Sequence, residues 1–327
     1  MLVRFTTVAL LSFIFVTAVG CSKTPSPEEL KKLNHEFLQA VDRQDVGAAH
    51  RLLDKGANVE TAETDDMTPL GIAASINDLL MVQMLLQKGA NAHVKDHSGL
   101  TPLMHAAYDG NAEIARLLLQ QNPDHQEKNA ALLEAVHNSP AVVIMENPRN
   151  DQLPAVVPSP ALKPWQISSA VETVKALLDS GADIEATDQY RGPPLIDAAA
   201  YAQTDVVSLL LERGANIHAK DRYGNTALIS ASCECAIATM NSTFDVVKIL
   251  LEKGADVNAR SNDGTTPLMN AAGGFGGSAI VKILLDYGAD PTAKDADGNT
   301  ALKFASKDER KDKAQLIKQA LAKNRKR

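Results

Sequence analysis

Aromatic side chains are scarce in this chain, with one Trp, five Tyr and seven Phe among 327 residues. The core must therefore rely on Ala and Leu rather than on large rings. The positive charge that a nucleic-acid binder would need is also missing. Net charge is −7, and residues 303–327 alone hold ten Lys/Arg against three Asp/Glu, which leaves residues 21–302 at −15. An acidic body of that kind does not suit nucleic acid. The basic end, closing on KNRKR, offers a contact for anionic lipid or an acidic partner, or simply solubilises the last helix. Signatures of enzymes are absent as well. There is no Gly-x-Ser-x-Gly, no phosphate-cradling Gly-x4-Gly-Lys-Ser/Thr and no His-Glu-x2-His. No catalytic residue and no cofactor is expected.

What the chain does have is one stretch written several times over. A leucine closing a helical pattern recurs as Leu53, Leu86, Leu119, Leu178, Leu211, Leu251 and Leu285, at gaps of 33, 33, 59, 33, 40 and 34 residues. Each except Leu119 is followed by x-x-Gly-Ala-(Asn/Asp). Fifteen residues after six of the seven leucines stands an opening triplet: Thr68-Pro-Leu, Thr101-Pro-Leu, Pro193-Pro-Leu, Thr226-Ala-Leu, Thr266-Pro-Leu or Thr300-Ala-Leu. Thr caps a helix, and Pro in the first turn needs no N–H partner there. Two short helices follow, and Gly after the second supplies a left-handed terminating residue. The pair Ala73-Ala74, repeated at Ala106-Ala107, Ala198-Ala199 and Ala271-Ala272, lets helices approach closely. One such unit cannot bury its own apolar face, so neighbours must stack.

These motifs resemble the ankyrin repeat. Its T-P-L-H-x-A and G-A-D-V-N patterns are matched by Thr266-Pro267-Leu268 and by Gly254-Ala255-Asp256-Val257-Asn258. The resemblance implies an all-α solenoid of about eight repeats including two caps, with hairpin-like finger loops between them.

At the other end, Met1-Leu-Val-Arg4 is a short positive start, Phe5 to Gly20 is an apolar run, and Ala18-Val19-Gly20-Cys21 follows. This resembles a bacterial lipoprotein signal, although Ala18 stands where Leu is usual. The resemblance implies lipidation of Cys21, and Ser22 after it implies passage to the outer membrane. Ordinary cleavage or an uncleaved anchor are the other readings. The expected organisation is a signal segment at 1–20, a tether at 21–26 and a solenoid over 27–327, with a basic cap near 303–327. Ser26-Pro27-Glu28-Glu29 reads as a capping box opening the first repeat.

The 59-residue gap is explained by a short finger after Leu119 (QQNPDHQEKN) and about thirty extra residues between two helices, Ala130 to His137 and Ala170 to Leu178. The extra segment, roughly 138–168, contains six of the fifteen Pro, with Val142-Val143-Ile144-Met145, Val156-Val157 and Trp165. Pro at this density forbids helix and favours extended structure. Two smaller insertions fall at the same turn of later repeats, and in a solenoid such insertions map to one face. The loop packs either on a partner or back on the solenoid edge.

The resemblance also implies where a partner would be touched: just before each opening triplet and seven or eight residues after its Thr. Those positions include Met67, Leu100, Tyr108, Asp109, Tyr190, Tyr201, Arg222 and Tyr223, with Trp165 added from the insertion. Four of the five tyrosines fall there, and Tyr is a rigid amphipathic anchor common in interfaces. Other candidates carry little. Asp295-Ala-Asp297-Gly-Asn299 has its glycine too early for a calcium loop and no closing glutamate. His93, His97, His105 and His125 lie on adjacent repeats, but finger histidines usually make turn hydrogen bonds, so no metal is expected. Cys233 and Cys235 are a redox pair only if the helix ends before them; otherwise they serve a disulfide to another chain or are two ordinary thiols.

The function expected is non-catalytic binding of a folded protein by a lipid-anchored, periplasm-facing, monomeric solenoid. Two uses fit: an immunity protein blocking an envelope-targeted toxin, or a stabiliser of an envelope enzyme in stress defence. The alternative is a structural tether between the outer membrane and another envelope layer.

Overall fold

A computed structural model of the chain describes the backbone of residues 25–62, 66–137, 142–143, 157–158, 164–233, 240–274, 278–306 and 310–324. The described residues form eight helix pairs. They are α1 (Pro27–Asp42) with α2 (Val46–Asp54), α3 (Pro69–Ser75) with α4 (Leu79–Gln87), and α5 (Pro102–Tyr108) with α6 (Ala112–Leu119). There follow α7 (His125–His137) with α8 (Pro164–Asp179), α9 (Pro194–Ala200) with α10 (Thr204–Glu212), and α11 (Ala227–Ala231) with α12 (Met240–Glu252). The last two are α13 (Pro267–Gly273) with α14 (Ala279–Asp286), and α15 (Ala301–Phe304) with α16 (Lys311–Asn324). Odd-numbered helices pack on odd-numbered ones along one row, and even on even along a second, so the molecule is two parallel ranks of helices.

Local signals set the helix ends. Thr68 Oγ1 accepts from the amide of Gly71 at 3.2 Å, and Thr101, Thr226 and Thr266 cap their helices in the same way. Pro193 takes the Thr place at α9 and provides no side-chain cap. The capping box at Ser26 forms: its hydroxyl accepts from the Glu29 amide at 3.3 Å, while the Glu29 carboxylate accepts from the Ser26 amide at 2.8 Å. After six of the even-numbered helices the chain turns through glycine, with φ between +85° at Gly89 and +101° at Gly56. A Cβ at Gly89, Gly181, Gly214, Gly254 or Gly288 would meet nothing within 4 Å, so backbone conformation rather than space demands glycine there.

The core is continuous from Phe37 to Ile317 and rich in Ala and Leu. The tracked leucines turn out not to be its deepest members. Leu53, Leu86, Leu119, Leu178, Leu211 and Leu285 are partly buried on its edge, while Leu85, Leu118, Leu177, Leu210, Leu250 and Leu284 are at most 1% exposed. Helical spacing explains the offset. Residues three and four apart share a face, so Val206, Val207 and Leu210 turn inward together and Leu211 sits beside the seam.

The fourth repeat corrects two expected boundaries. Helix α7 starts at His125, not Ala130, because Asn122 takes the left-handed turn that Gly makes elsewhere (φ +59°) and Asp124 Oδ1 accepts from the Glu127 amide at 2.7 Å. Helix α8 starts at Pro164, not Ala170, so proline there opens a helix instead of forbidding one. Within the insertion a short antiparallel ladder pairs β1 (Val142–Val143) with β2 (Val157–Pro158), in line with the expected extended structure. The rest of that loop lies outside the described residues. No helix among the described residues is long and apolar enough to cross a membrane.

Candidate protein-binding surface

Four of the described fingers are each built on an aspartate that folds its own loop. Asp188 Oδ1 accepts from the amides of Tyr190 and Arg191, both at 2.7 Å. Asp221 Oδ1 accepts from Tyr223 and Asn225, both at 2.8 Å, and Asp96 Oδ1 from Ser98 and Leu100 at 2.8 and 2.9 Å. Such Asx turns project the residue two places on to the loop tip. Asp295 repeats the pattern with Asp297 and Asn299, so that stretch is one more finger turn.

Successive fingers are stitched together. Arg222 donates to the Gln189 carbonyl at 2.7 Å, and Asn262 donates through its side chain to the Arg222 carbonyl and through its amide to that of Tyr223. The Arg222 guanidinium also lies 4.7 Å from the centre of the Tyr223 ring. Among the described residues this row is interrupted at repeat four. Where repeat four should have a finger, the chain passes into the lengthened α7, so the finger of Asp188 to Arg191 has no equivalent in the repeat just before it.

Tyr190 stands at the edge of that gap and is 69% exposed; Tyr223, one finger on, is 57% exposed and Tyr108 41%. Asp109 and Arg222 are exposed too. Other expected contact residues are more inward. Leu100 packs partly against the core and Met67 is half-buried. Tyr201 is also half-buried, edge-on to His137 at 5.4 Å with its hydroxyl 3.3 Å from Nδ1. The fifth tyrosine, Tyr287, is 46% exposed at the C-cap of α14, away from the finger row. The Trp165 side chain, Cys21 and Cys235 lie outside the described residues. Cys233 is half-buried just beyond the end of α11.

The four histidines do not gather. His105 pairs with Asp96 at 2.7 Å within its own repeat, while His93 reaches across to Glu127 of α7 at 2.8 Å. Among the described residues no three His, Cys, Asp or Glu side chains cluster as a metal site would require.

The most perturbed chemistry lies at a place that motif reading passes over. Arg191 bridges Glu134 Oε1 at 2.7 Å and Asp188 Oδ2 at 2.8 Å, joining α7 to the next finger across the gap. Burial alone would lower the Arg191 pKa, but these two carboxylates outweigh it and hold the guanidinium above its ordinary value. Burial would likewise raise Asp188, yet the amides of Tyr190 and Arg191 and the Arg191 side chain keep it low. Asp197, on α9 beside them, gets no such help. Its Oδ2 is buried without a hydrogen-bond partner, as is Arg191 Nη1. Desolvation, with smaller contributions from Asp188 and Asp221, pushes its carboxyl up to about 6 against the opposing pull of Arg191. Partial burial, then Arg191, holds His137 below its ordinary range.

Stacked helix pairs joined by finger turns, with rings and charges displayed along one edge, define a repeat solenoid whose fold presents a surface. The family model for ankyrin repeats (three copies) matches residues 37–131, 166–260 and 235–326. The chain therefore belongs to the ankyrin-repeat family, whose repeats generally mediate protein–protein interaction. The stretch left unmatched between 131 and 166 holds the insertion. Among curated proteins, none matches the chain.

Proposed function

We propose that this protein is a non-catalytic, lipid-anchored binding solenoid facing the periplasm from the outer membrane, and that it blocks or stabilises one folded partner. The observation that carries the binding role is the exposure of Tyr108, Tyr190 and Tyr223 beside a finger row whose backbone groups are already satisfied by its own Asx turns. On a stitched framework the backbone is already ordered, so association costs only the side-chain freedom of the exposed rings. The placement at the envelope rests on the sequence of residues 1–22, with Cys21 as the acylated residue. Blocking a toxin or stabilising an envelope enzyme are both served by this surface, since each needs only steric and electrostatic fit.

Replacing Tyr190 and Tyr223 by Ala tests the reading. Neither ring is buried, so the thermal midpoint should hold while binding to a partner captured from envelope extracts weakens by ~2 kcal/mol or more. Full affinity in the double variant would place the contact elsewhere. Tyr201 is unsuited to this test because its packing on His137 ties it to folding. At the basic end Lys311, Lys318 and Lys323 are exposed, but Lys313 is not free to serve a tether. Lys313 is 3% exposed and donates to the carbonyls of Ala271 and Gly274, fastening α16 to the repeat before it.

A further inference from the structure

We infer that the exposed face of α16 rests on an anionic phospholipid surface and lays the far end of the solenoid on the bilayer that Cys21 anchors. The inference rests on the reading of residues 1–22 for the bilayer itself. It concerns a surface separate from the finger edge that takes the protein partner.

The two ends of the solenoid are capped differently. On α1 the charges are mixed: Glu28, Glu29, Glu36 and Asp42 are exposed beside Lys31 and Lys32, and Lys32 lies 3.8 Å from Glu36. The far cap has one sign. After Asp312 no acidic residue follows, while Lys313, Lys318, Lys323, Arg325, Lys326 and Arg327 do. Lys313 is buried, but Lys311, Lys318 and Lys323 are exposed. Lys311, Gln315, Lys318, Gln319 and Ala322 stand at helical spacing and are all exposed, so they form one face with two cations and no anion. Lysines on the two preceding outer helices find a carboxylate one turn on, Lys248 with Glu252 at 3.9 Å and Lys282 with Asp286 at 3.2 Å. Lys318 and Lys323 have no Asp or Glu three or four positions away on either side.

A cap that served solubility alone would work with paired charges, as α1 does. A row of like charges repels itself, and an anionic surface relieves that repulsion. The kind of cation selects a bilayer over a protein. Lys is depleted in protein interfaces, which favour Tyr, Trp and Arg, whereas Lys near anionic lipid gains energy without any shaped pocket. No exposed ring lies on α16 among the described residues. The apolar side of the helix is already used, with Ile317 buried and Leu316 and Leu321 packed on the core. Nothing apolar is left to insert, so the contact is electrostatic and fades beyond about 10 Å at 0.1 M salt. The charge of −15 over residues 21–302 adds orientation, turning the body away from a negative bilayer and the basic end toward it.

The test uses residues 22–327, which hold every described residue and carry no acyl chain, in co-sedimentation with vesicles. Vesicles with about 30% phosphatidylglycerol in phosphatidylcholine should bind the protein at about 50 mM salt and release it at about 500 mM. Vesicles of phosphatidylcholine alone should not bind it. Lys311→Gln, Lys318→Gln and Lys323→Gln together should weaken binding by about tenfold or more, and so should ending the chain at Asn324. Lys248→Gln, Lys253→Gln and Lys282→Gln remove the same charge from other outer helices and should leave binding within about twofold. Binding that is absent, that is equal on the two lipids, that survives high salt, or that falls alike in both triple variants would overturn the proposal. Self-association that the α16 variant abolishes, with no vesicle binding, would give this face to the acidic body of a second copy and would also overturn it. Replacing Tyr190 and Tyr223 by Ala should leave vesicle binding unchanged, so the lipid contact and the protein-binding edge stand or fall separately.

Discussion

Asp197→Asn should make this protein more stable at neutral pH, which few polar substitutions do. The folded-state carboxyl lies at about 6 against an ordinary 3.8. Between those values the folded state binds a proton that the unfolded chain does not, so this group's contribution favours folding at low pH and declines as pH rises through 6. Above pH 6 the ionised carboxylate remains half-buried with Oδ2 unpartnered, a cost of about 3 kcal/mol before solvent screening. Residual solvent contact reduces that to about 1–2 kcal/mol. Asparagine is nearly isosteric and carries no charge, so it removes the cost. Urea unfolding at pH 7.5 and at pH 4.5 measures it, read as a change in midpoint at constant slope. The expected result is a gain at pH 7.5 that largely disappears at pH 4.5, where Asp197 is already protonated. An equal gain at both values, or a loss at pH 7.5, would show that the carboxylate is compensated in a way the geometry does not reveal.

Other expectations are simpler to read. Leu210→Ala should cost roughly 2–5 kcal/mol by opening a cavity between α8, α10 and α12, and Leu211→Ala should cost less than half as much, because Leu211 is only partly buried; parallel unfolding curves decide. Gly224→Ala should destabilise by about 1–3 kcal/mol, since φ is +78° and a Cβ would fall 2.7 Å from the Asn262 amide nitrogen; a thermal midpoint equal to wild type would contradict this. Lys313→Met should loosen α16 by leaving the Ala271 and Gly274 carbonyls without their donor, seen as faster proteolysis within residues 310–324 and not elsewhere.

Much of the architecture was legible because each repeat carries its own local signals. Thr-Pro-Leu openings, Gly at the left-handed turn and paired alanines act within one or two turns of chain, and the helices and stacking follow. The reading slipped where another residue did the same job. Asn122 replaced Gly, and Asp124 with Glu127 opened α7 at a spacing that a search for Thr-Pro-Leu does not find. The recurring leucines do close their helices, but the letter alone does not say which helical face points inward, and Leu118 and Leu210 lie deeper than Leu119 and Leu211.

The surface was legible only in part. Tyr190 and Tyr223 could be placed at finger tips since Asp188 and Asp221 two residues earlier dictate the turn. The inward packing of Tyr201 could not, because His137 lies 64 positions away in sequence. Asp197 was passed over for the same reason. Its state depends on Asp188, Arg191 and Asp221, and through Arg191 on Glu134, residues drawn from three repeats that only the stacking brings together.

The central claim is that the finger edge and the inner helices form a grip for a protein. Hydrogen exchange on the chain with and without its captured partner tests this most directly. Added protection should concentrate at the fingers of residues 188–191 and 221–225 and along α7 and α9. Protection confined to the outer helices α8, α10 and α12 would contradict it.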